Sequence, residues 1–283
     1  MEQQALKPEE FELFKELMHE RTGIFLNDTK LALVANRLRP RLRLLKIPSY
    51  RAYYDYARRN AGELAACIDA ITTNETYFFR EPRQLEYFRS DLLPALMLNK
   101  AKSRILKIWS AACSTGEEPY TIAILLKEHM PSGWLASITA SDINTEVLAR
   151  AKAAVYGSYA VEKTSPEFVR KYFAVSRIDV KGKPVIGSAP HARKEYKLAE
   201  AVRAMVQFER HNLMEKNTRQ KFDVIFCRNV LIYFNEATKR QALSNLYSAL
   251  APGGYLLLGA AEGMLGMNLK FKPLRLSIYQ RTE

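Results

Sequence analysis

The stretch Ile105-Leu106-Lys107-Ile108-Trp109-Ser110-Ala111-Ala112-Cys113-Ser114-Thr115-Gly116-Glu117-Glu118-Pro119-Tyr120 decides the fold. Ile105–Trp109 reads as a strand, and Glu118–Met130 as a helix with Pro119 tolerated in its first turn. Between them Ala111, Ala112, Ser114 and Gly116 form a small-residue turn that lets a ligand approach the backbone. In an open α/β sheet, ligands bind beyond the carboxyl ends of the strands, where the strand order reverses. Neither Gly-x-Gly-x-x-Gly nor Gly-Lys-Ser/Thr occurs here. Glu117 and Glu118 at the helix start disfavour a phosphate and suit a cation, and S-adenosylmethionine carries both an ammonium and a sulfonium. On its own the turn reads equally well as a cap whose acids offset the helix dipole.

Downstream, the alternation continues. Ala136–Ala140 is expected as a strand ending at Asp142, Asn144–Val155 as a helix capped by Asn144, and Val206–Arg210 and Phe222–Cys227 as strands. Glu236–Leu250 reads as a helix closed by Pro252-Gly253-Gly254, followed by strands at Tyr255–Gly259 and Leu276–Arg281. This predicts a doubly wound, mostly parallel sheet. Residues 173–207 interrupt the pattern; Val175–Val180 and Lys194–Leu198 predict a small antiparallel insertion. Upstream, residues 1–66 read as all-helical: Phe11, Phe14, Leu17 and Met18 recur at helical spacing after Pro8, and Leu31, Val34, Leu38 and Leu42 mark a second helix. Pro40 is expected to kink or split that second helix. The domains expected are a helical unit at 1–66, a linker at 67–90 contributing to the site, and an α/β unit at 91–283.

With 283 residues and 48% hydrophobic content, the chain can bury a sizeable core. It begins without a secretory signal pattern and contains no apolar run long enough to span a bilayer, so a cytoplasmic protein without membrane insertion is expected. Cys67, Cys113 and Cys227 form no Cys-x-x-Cys pair, and the four histidines lack metal-ligand spacing, so no metal is expected. The net charge is +13, and residues 30–59 alone hold nine basic side chains against Asp55. An anionic partner near the N-terminus follows, either a nucleic acid or an acidic protein surface.

Three further segments carry candidate chemistry. Asp142, at a strand end, is placed to bind the hydroxyls of a cofactor ribose, or simply to cap the helix beside Asn144. In Thr72-Thr73-Asn74-Glu75-Thr76-Tyr77-Phe78-Phe79-Arg80, Arg80 can clamp a carboxylate bidentately, or stand as a surface residue of an interdomain hinge. The strand Phe222–Cys227 delivers Arg228, Asn229 and Tyr233 to the ligand edge of the sheet, or ends there in an ordinary capped exit.

Together these segments closely resemble the bacterial chemotaxis receptor methyltransferases, the CheR family. The resemblance rests on Thr-Asn-x-Thr-x-Phe-Phe-Arg at 73–80, Ala-x-Cys-Ser-Thr-Gly-Glu-Glu-Pro-Tyr at 111–120, Arg-Asn-Val-x-Ile-Tyr-Phe at 228–234 and Leu-x-Pro-Gly-Gly-x-Leu-x-Leu-Gly at 250–259. It covers nearly the whole chain. It implies a Rossmann-like methyltransferase domain behind an all-α N-terminal domain. It also implies S-adenosylmethionine contacts at Asn74, Thr76, Arg80, Glu117, Asp142, Asn212, Leu213, Asn229 and Val230, with Tyr233 facing the transferred methyl.

The implied reaction is methyl esterification of chemoreceptor glutamates, releasing S-adenosylhomocysteine. A glutamate is already ionised at neutral pH, so no general base is needed. Arg37 and Arg41 lie four residues apart, as do Arg39 and Arg43, giving two adjacent basic rows suited to the acidic receptor helices that the resemblance implies. The insertion reads Gly-Ser-Ala-Pro-His-Ala-Arg-Lys at 187–194, less Gly-rich than in relatives that dock a receptor C-terminal pentapeptide, so tail-independent recognition is expected; separately, a monomer is expected. Two rival readings are a nucleic-acid methyltransferase, which the charge invites and the absence of an Asn/Asp-Pro-Pro-Tyr/Phe motif disfavours, and a non-enzymatic S-adenosylmethionine-sensing adaptor.

Overall fold

The computed structural model describes residues 5–179, 185, 192–264 and 269–282. Its N-terminal part is four helices: α1 (Pro8–Thr22), α2 (Leu31–Leu45), α3 (Tyr50–Arg59) and α4 (Ala61–Ile71). Each boundary has a local cause. Gly23, at φ 77°, stops α1; Ser49 Oγ accepts from Ala52 N to start α3, and Asn60 Oδ1 accepts from Glu63 N to start α4. Their apolar faces meet in a cluster that includes Phe14, Met18, Val34, Leu38, Tyr53 and Cys67. Of the two outcomes expected at Pro40, a split does not occur: α2 runs continuously through it. The proline is exposed and removes a single backbone bond, while Val34, Leu38 and Leu42 on either side of it stay buried in the same cluster.

Helices α5 (Pro82–Tyr87) and α6 (Leu93–Asn99), joined by a π turn, lead into β1 (Ile105–Ala111), α7 (Glu117–His129), β2 (Leu135–Asp142) and α8 (Thr145–Ala153). Then come β3 (Val155–Gly157), α9 (Ser158–Val161), α10 (Pro166–Tyr172), β4 (Phe173–Ile178), β5 (Arg193–Leu198) and α11 (Glu200–Arg203). The chain continues through β6 (Val206–Arg210), β7 (Phe222–Cys227), α12 (Glu236–Ala249), β8 (Leu250–Leu258), β9 (Phe271–Pro273) and β10 (Ile278–Arg281). The main sheet runs β6-β2-β1-β7-β8-β10-β9. Its first five strands are parallel, and β10 pairs antiparallel with β8 and β9. The order reverses between β1 and β7, which makes their carboxyl ends the ligand-binding crevice of a Rossmann-like fold.

The small sheet is β3-β5-β4, all antiparallel. It starts earlier than the sequence suggests, because Ala154 adopts φ 52°, ends α8 before Val155 and frees that residue for β3. It also ends earlier, since Val206 onward belongs to the main sheet. Val180 lies outside the described residues, as do Gly187–His191 of the insertion loop. The Pro252-Gly253-Gly254 stretch is part of β8, absorbed by a register shift against β7, so α12 and β8 abut directly. Leu276 and Ser277 take left-handed backbone at φ 57°, which delays the last strand to Ile278. Among the described residues no helix is long and apolar enough to cross a membrane.

Candidate functional site

One pocket opens at the reversal point of the sheet. Its floor is the turn after β1, where Ala112 (φ 63°), Ser114 (φ 50°) and Gly116 (φ 94°) all take left-handed backbone. This coiled turn folds Ser114 N back onto Asp142 Oδ2 at 2.9 Å and Cys113 N onto Ser141 O at 2.9 Å. Two of these three positions are not glycine, and strain of that kind is characteristic of ligand-binding turns. Gly116 has a second constraint: a Cβ would meet that of Ala151 on α8 at 2.9 Å.

Asp142 closes one side. It is buried, its Oδ1 accepts from Asn144 N at 3.0 Å, and burial raises its pKa against the opposing backbone N–H groups of Asn144 and Ser114. The expected cap also forms, since Asn144 Oδ1 accepts from Val147 N at 3.0 Å. Both readings of this segment therefore hold at once: Asn144 caps α8 and Asp142 lines the pocket.

A strap formed by residues 72–80 crosses the pocket. Asn74, Thr76 and Arg80 all line it. The strap is tied at several points: Ser114 Oγ donates to Asn74 O at 2.9 Å, Arg80 Nη1 donates to Glu75 O at 2.9 Å, and the Arg80 guanidinium sits 5.8 Å from the Tyr77 ring centre. At its end, Phe79 and Glu81 both take left-handed backbone.

The β7 exit supplies the third wall, with Arg228, Asn229, Val230 and Tyr233, and the β6 exit adds His211, Asn212 and Leu213. Arg228 is buried and reaches Glu81 at 3.2 Å, Glu118 at 3.3 Å and Arg80 O at 2.6 Å. Burial pushes Glu118 up despite that guanidinium. For Glu81 burial also pushes upward, but Arg228 together with donors from Ala260 and Asn229 outweighs it and leaves the carboxyl lowered. The side chain of Asn212 is already engaged, donating to Arg21 O at 2.9 Å and accepting from Met214 N at 3.1 Å.

Of the nine cofactor candidates, eight line this pocket together with Tyr233. The exception is Glu117. Its side chain is buried behind the wall, accepting from Thr115 Oγ1 at 2.7 Å, while its neighbour Glu118 faces the pocket. Successive helical residues project about 100° apart, so one acid of the pair faces the pocket while the other turns away from it.

None of the four basic candidates lines the pocket, and the two rows of α2 differ. Arg41 forms a two-pronged bond to Glu63 of α4, Nε to Oε1 at 3.0 Å and Nη2 to Oε2 at 2.5 Å. Arg37 donates to the backbone oxygens of Ile71 and Thr72 and to Thr73 Oγ1. Arg39 and Arg43 are exposed and make no ion pair among the described residues. The helical part also contributes pocket residues that sequence reasoning missed, chiefly Ile24, Phe25, Lys30 and Leu33. Phe25 N donates to Tyr233 O at 2.7 Å and Ile24 pairs with Phe234, long-range contacts with no signature in local sequence.

The cavity thus offers Asp142 at the β2 exit, Glu118 beside Arg228 at the β7 exit, a cation on the strap, Arg80, and an apolar edge at Leu213 and Val230. These features fit a ligand with hydroxyls, a positive centre, a carboxylate and a flat aromatic group, as S-adenosylmethionine has.

Comparison with known proteins agrees. A model of the CheR methyltransferase all-alpha domain matches residues 9–72, and one of the CheR methyltransferase SAM binding domain matches residues 74–280. Chemotaxis protein methyltransferase 2 of Vibrio cholerae is 37% identical over 258 residues, covering 89% of this chain and 84% of that protein. The chemotaxis protein methyltransferase of Vibrio parahaemolyticus is 38% identical over 279 residues, covering 96% of this chain and 95% of that one. With both domain models in order and relatives matched along most of their length, the chain belongs to the CheR family and is an S-adenosylmethionine-dependent methyltransferase.

Proposed function

We propose that this enzyme transfers the methyl group of S-adenosylmethionine to glutamate side chains on the cytoplasmic helices of chemoreceptors. The observation that carries the site assignment is the convergence of Asn74, Thr76, Arg80, Asp142, Asn212, Leu213, Asn229, Val230 and Tyr233 on one pocket. S-adenosylmethionine supplies the methyl and is left as S-adenosylhomocysteine. Asp142 binds the ribose hydroxyls and Arg80 the cofactor carboxylate. Leu213 and Val230 form the apolar edge, Asn212 contributes its backbone, and Glu118 joins the candidate set as the acid that faces the pocket in front of Glu117.

The substrate carboxylate is its own nucleophile at neutral pH. What the protein contributes is alignment, which is worth on the order of 7–11 kcal/mol in the best cases, and removal of water without leaving the carboxylate unpaired. Tyr233 orients the acceptor and takes no proton. Arg39 and Arg43 form the docking face for an acidic helix, and attraction there speeds encounter and sets register.

The domain division that accords with this keeps the three expected parts but carries the helical recognition unit beyond residue 66 to the end of α4, whose Cys67, Ile68 and Ile71 sit in the helical core, leaving residues 72–90 as the linker carrying the strap and 91–283 as the methyltransferase unit with the small sheet as its insertion. The enzyme acts as a cytoplasmic monomer, without need of a receptor pentapeptide. The test is methyl transfer from labelled cofactor to receptor cytoplasmic fragments with and without their C-terminal tails. The expected product is base-labile and releases methanol equally from both fragments. A base-stable methyl product would refute esterification.

A further inference from the structure

Glu262, on the turn after β8, has no part in the function proposed above, yet it is buried and gathers four backbone donors. Its Oε1 accepts from Leu231 N at 2.7 Å and Ile232 N at 3.3 Å, and its Oε2 from Asn229 N at 2.9 Å and Gly259 N at 2.6 Å. Three of those donors lie in the segment that brings Asn229 to the pocket and then turns once, Leu231–Tyr233, to present Tyr233. Glu262 is not itself part of the pocket lining.

The segment needs an external hold. Asn229 sits at φ 59°, in the left-handed region that asparagine tolerates better than other non-glycine residues but that still favours a conformation held by its neighbours. Its side chain is pinned by Glu81 at 3.2 Å, and its peptide N–H by Glu262. The joint leaves no spare room. A Cβ on Gly259 would stand 2.7 Å from Asn229 Nδ2, 2.7 Å from Glu262 Oε2 and 2.8 Å from Asn229 N. That accounts for the glycine closing the 250–259 motif, which the cofactor contacts alone leave without a purpose. Nor is φ the cause, since among the described residues the glycines with left-handed backbone are Gly23, Gly116, Gly133 and Gly253.

We propose that Glu262 is a positioning residue: it locks the β7 exit against the β8 exit, so that Asn229 and Tyr233 are held in the geometry that binds cofactor and orients the acceptor, and Gly259 is glycine to admit this joint. The proposal rests on the roles given to Asn229 and Tyr233. A carboxylate suits the task because two oxygens can each take two backbone N–H groups, which no neutral side chain of that length does.

The test uses full-length Glu262→Gln, which keeps the shape but presents an NH2 to two of the four donors. Amide exchange is read at residues 229, 231, 232 and 259, alongside calorimetric titration with S-adenosylhomocysteine and single-turnover methyl transfer. Exchange at those amides is expected to accelerate while amides of β1 and β7 stay protected. S-adenosylhomocysteine affinity and turnover are expected to fall, each by roughly 10- to 100-fold. Gly259→Ala should reproduce the pattern with the carboxylate intact, which covers a folding failure of the first variant. Unchanged local exchange overturns the proposal, as does acceleration spread evenly over the whole chain, or local release with affinity and turnover intact. Asn229→Ala serves as the reference: if it leaves S-adenosylhomocysteine binding unchanged, the role given to Asn229 falls and the proposal with it.

Discussion

Arg41→Ala is expected to melt the protein well below the wild type, whereas reversing both charges of the opposite row, Arg39→Glu with Arg43→Glu, leaves the melting point alone and impairs receptor methylation. The magnitude follows from Glu63. Its side chain is 7% exposed and holds three bonds, two from Arg41 and one from Tyr53 Oη at 2.7 Å. Burial pushes the Glu63 carboxyl up, but the Arg41 and Tyr53 donors outweigh it and leave it lowered. Removing the guanidinium strands a buried carboxylate with one neutral partner. Breaking a buried pair in this way costs about 3–5 kcal/mol. Because the Arg41 side chain is itself 28% exposed, water recovers part of that, leaving about 2–4 kcal/mol. For a chain of this size that is a fall of roughly 3–8 °C. The loss has a pH signature. A carboxyl lowered by folding stabilises above its unfolded value and ceases to do so as pH falls through its folded one, so the deficit of Arg41→Ala should shrink in acid. Arg39 and Arg43, exposed and unpaired among the described residues, should cost less than about 0.5 kcal/mol on reversal. Their reversal should instead lower kcat/KM for a receptor fragment about tenfold at low salt, with little effect at high salt. Thermal melts, S-adenosylhomocysteine titration and methylation across salt concentrations read all three effects. Two results would refute the reasoning: wild-type melting of Arg41→Ala, or salt-independent, undiminished methylation by the doubly reversed protein.

Two further outcomes are expected. Tyr233→Phe should reduce single-turnover methyl transfer by roughly 100- to 1000-fold, the range of one lost transition-state contact, with S-adenosylhomocysteine affinity held within about twofold; the Phe25 N bond to Tyr233 O keeps the backbone in place whichever side chain is present. Unchanged turnover would remove Tyr233 from the reaction. Glu117→Gln should raise the melting point of the cofactor-free protein at neutral pH. Burial lifts the Glu117 pKa above its unfolded value, with Thr115 only partly opposing. The wild-type carboxyl therefore loses stability as pH rises through that lifted value, at about 1.4 kcal/mol for each unit of the lift. Melting curves of the two proteins should converge below the ordinary carboxylate range; a constant gap across pH would point to packing and not charge.

What local sequence encodes, and what it does not, is visible in single elements. Phe222–Cys227 is legible because six consecutive buried positions leave only a central strand. The Asn144 cap is equally legible, since an asparagine at a helix start has few other uses. The two rows of α2 mark the limit. Val34, Leu38 and Leu42 form the buried stripe, and Arg37 with Arg41 lies about 100° to one side while Arg39 with Arg43 lies about 100° to the other. The helix period is symmetrical about its stripe, so it cannot say which row meets α4. Only the position of Glu63 on α4 breaks the symmetry. The same holds for Glu117 and Glu118, for the helical-part residues around Tyr233, and for Glu262, three of whose four donors lie some 30 residues away in the chain.

The strap between the two parts shows why these long-range contacts matter for function. Arg37 Nη1 donates to Thr72 O at 2.9 Å, Asn144 Nδ2 donates to Thr72 Oγ1 at 2.7 Å, and Asn144 N donates to Asp142 Oδ1 at 3.0 Å. Three hydrogen bonds through two residues therefore lead from α2 to the candidate ribose acid. Asp69, at the end of α4, adds a second tie by accepting from Thr145 N at 3.1 Å and Thr145 Oγ1 at 2.6 Å at the start of α8. The helices are thus not a reader appended to a catalytic domain. They build part of the pocket wall and brace the loop that carries Asp142. If the receptor docks on the outer row of α2, as proposed, this short hydrogen-bonded path registers it against the pocket, and such registration is what in-line transfer to an already ionised carboxylate requires.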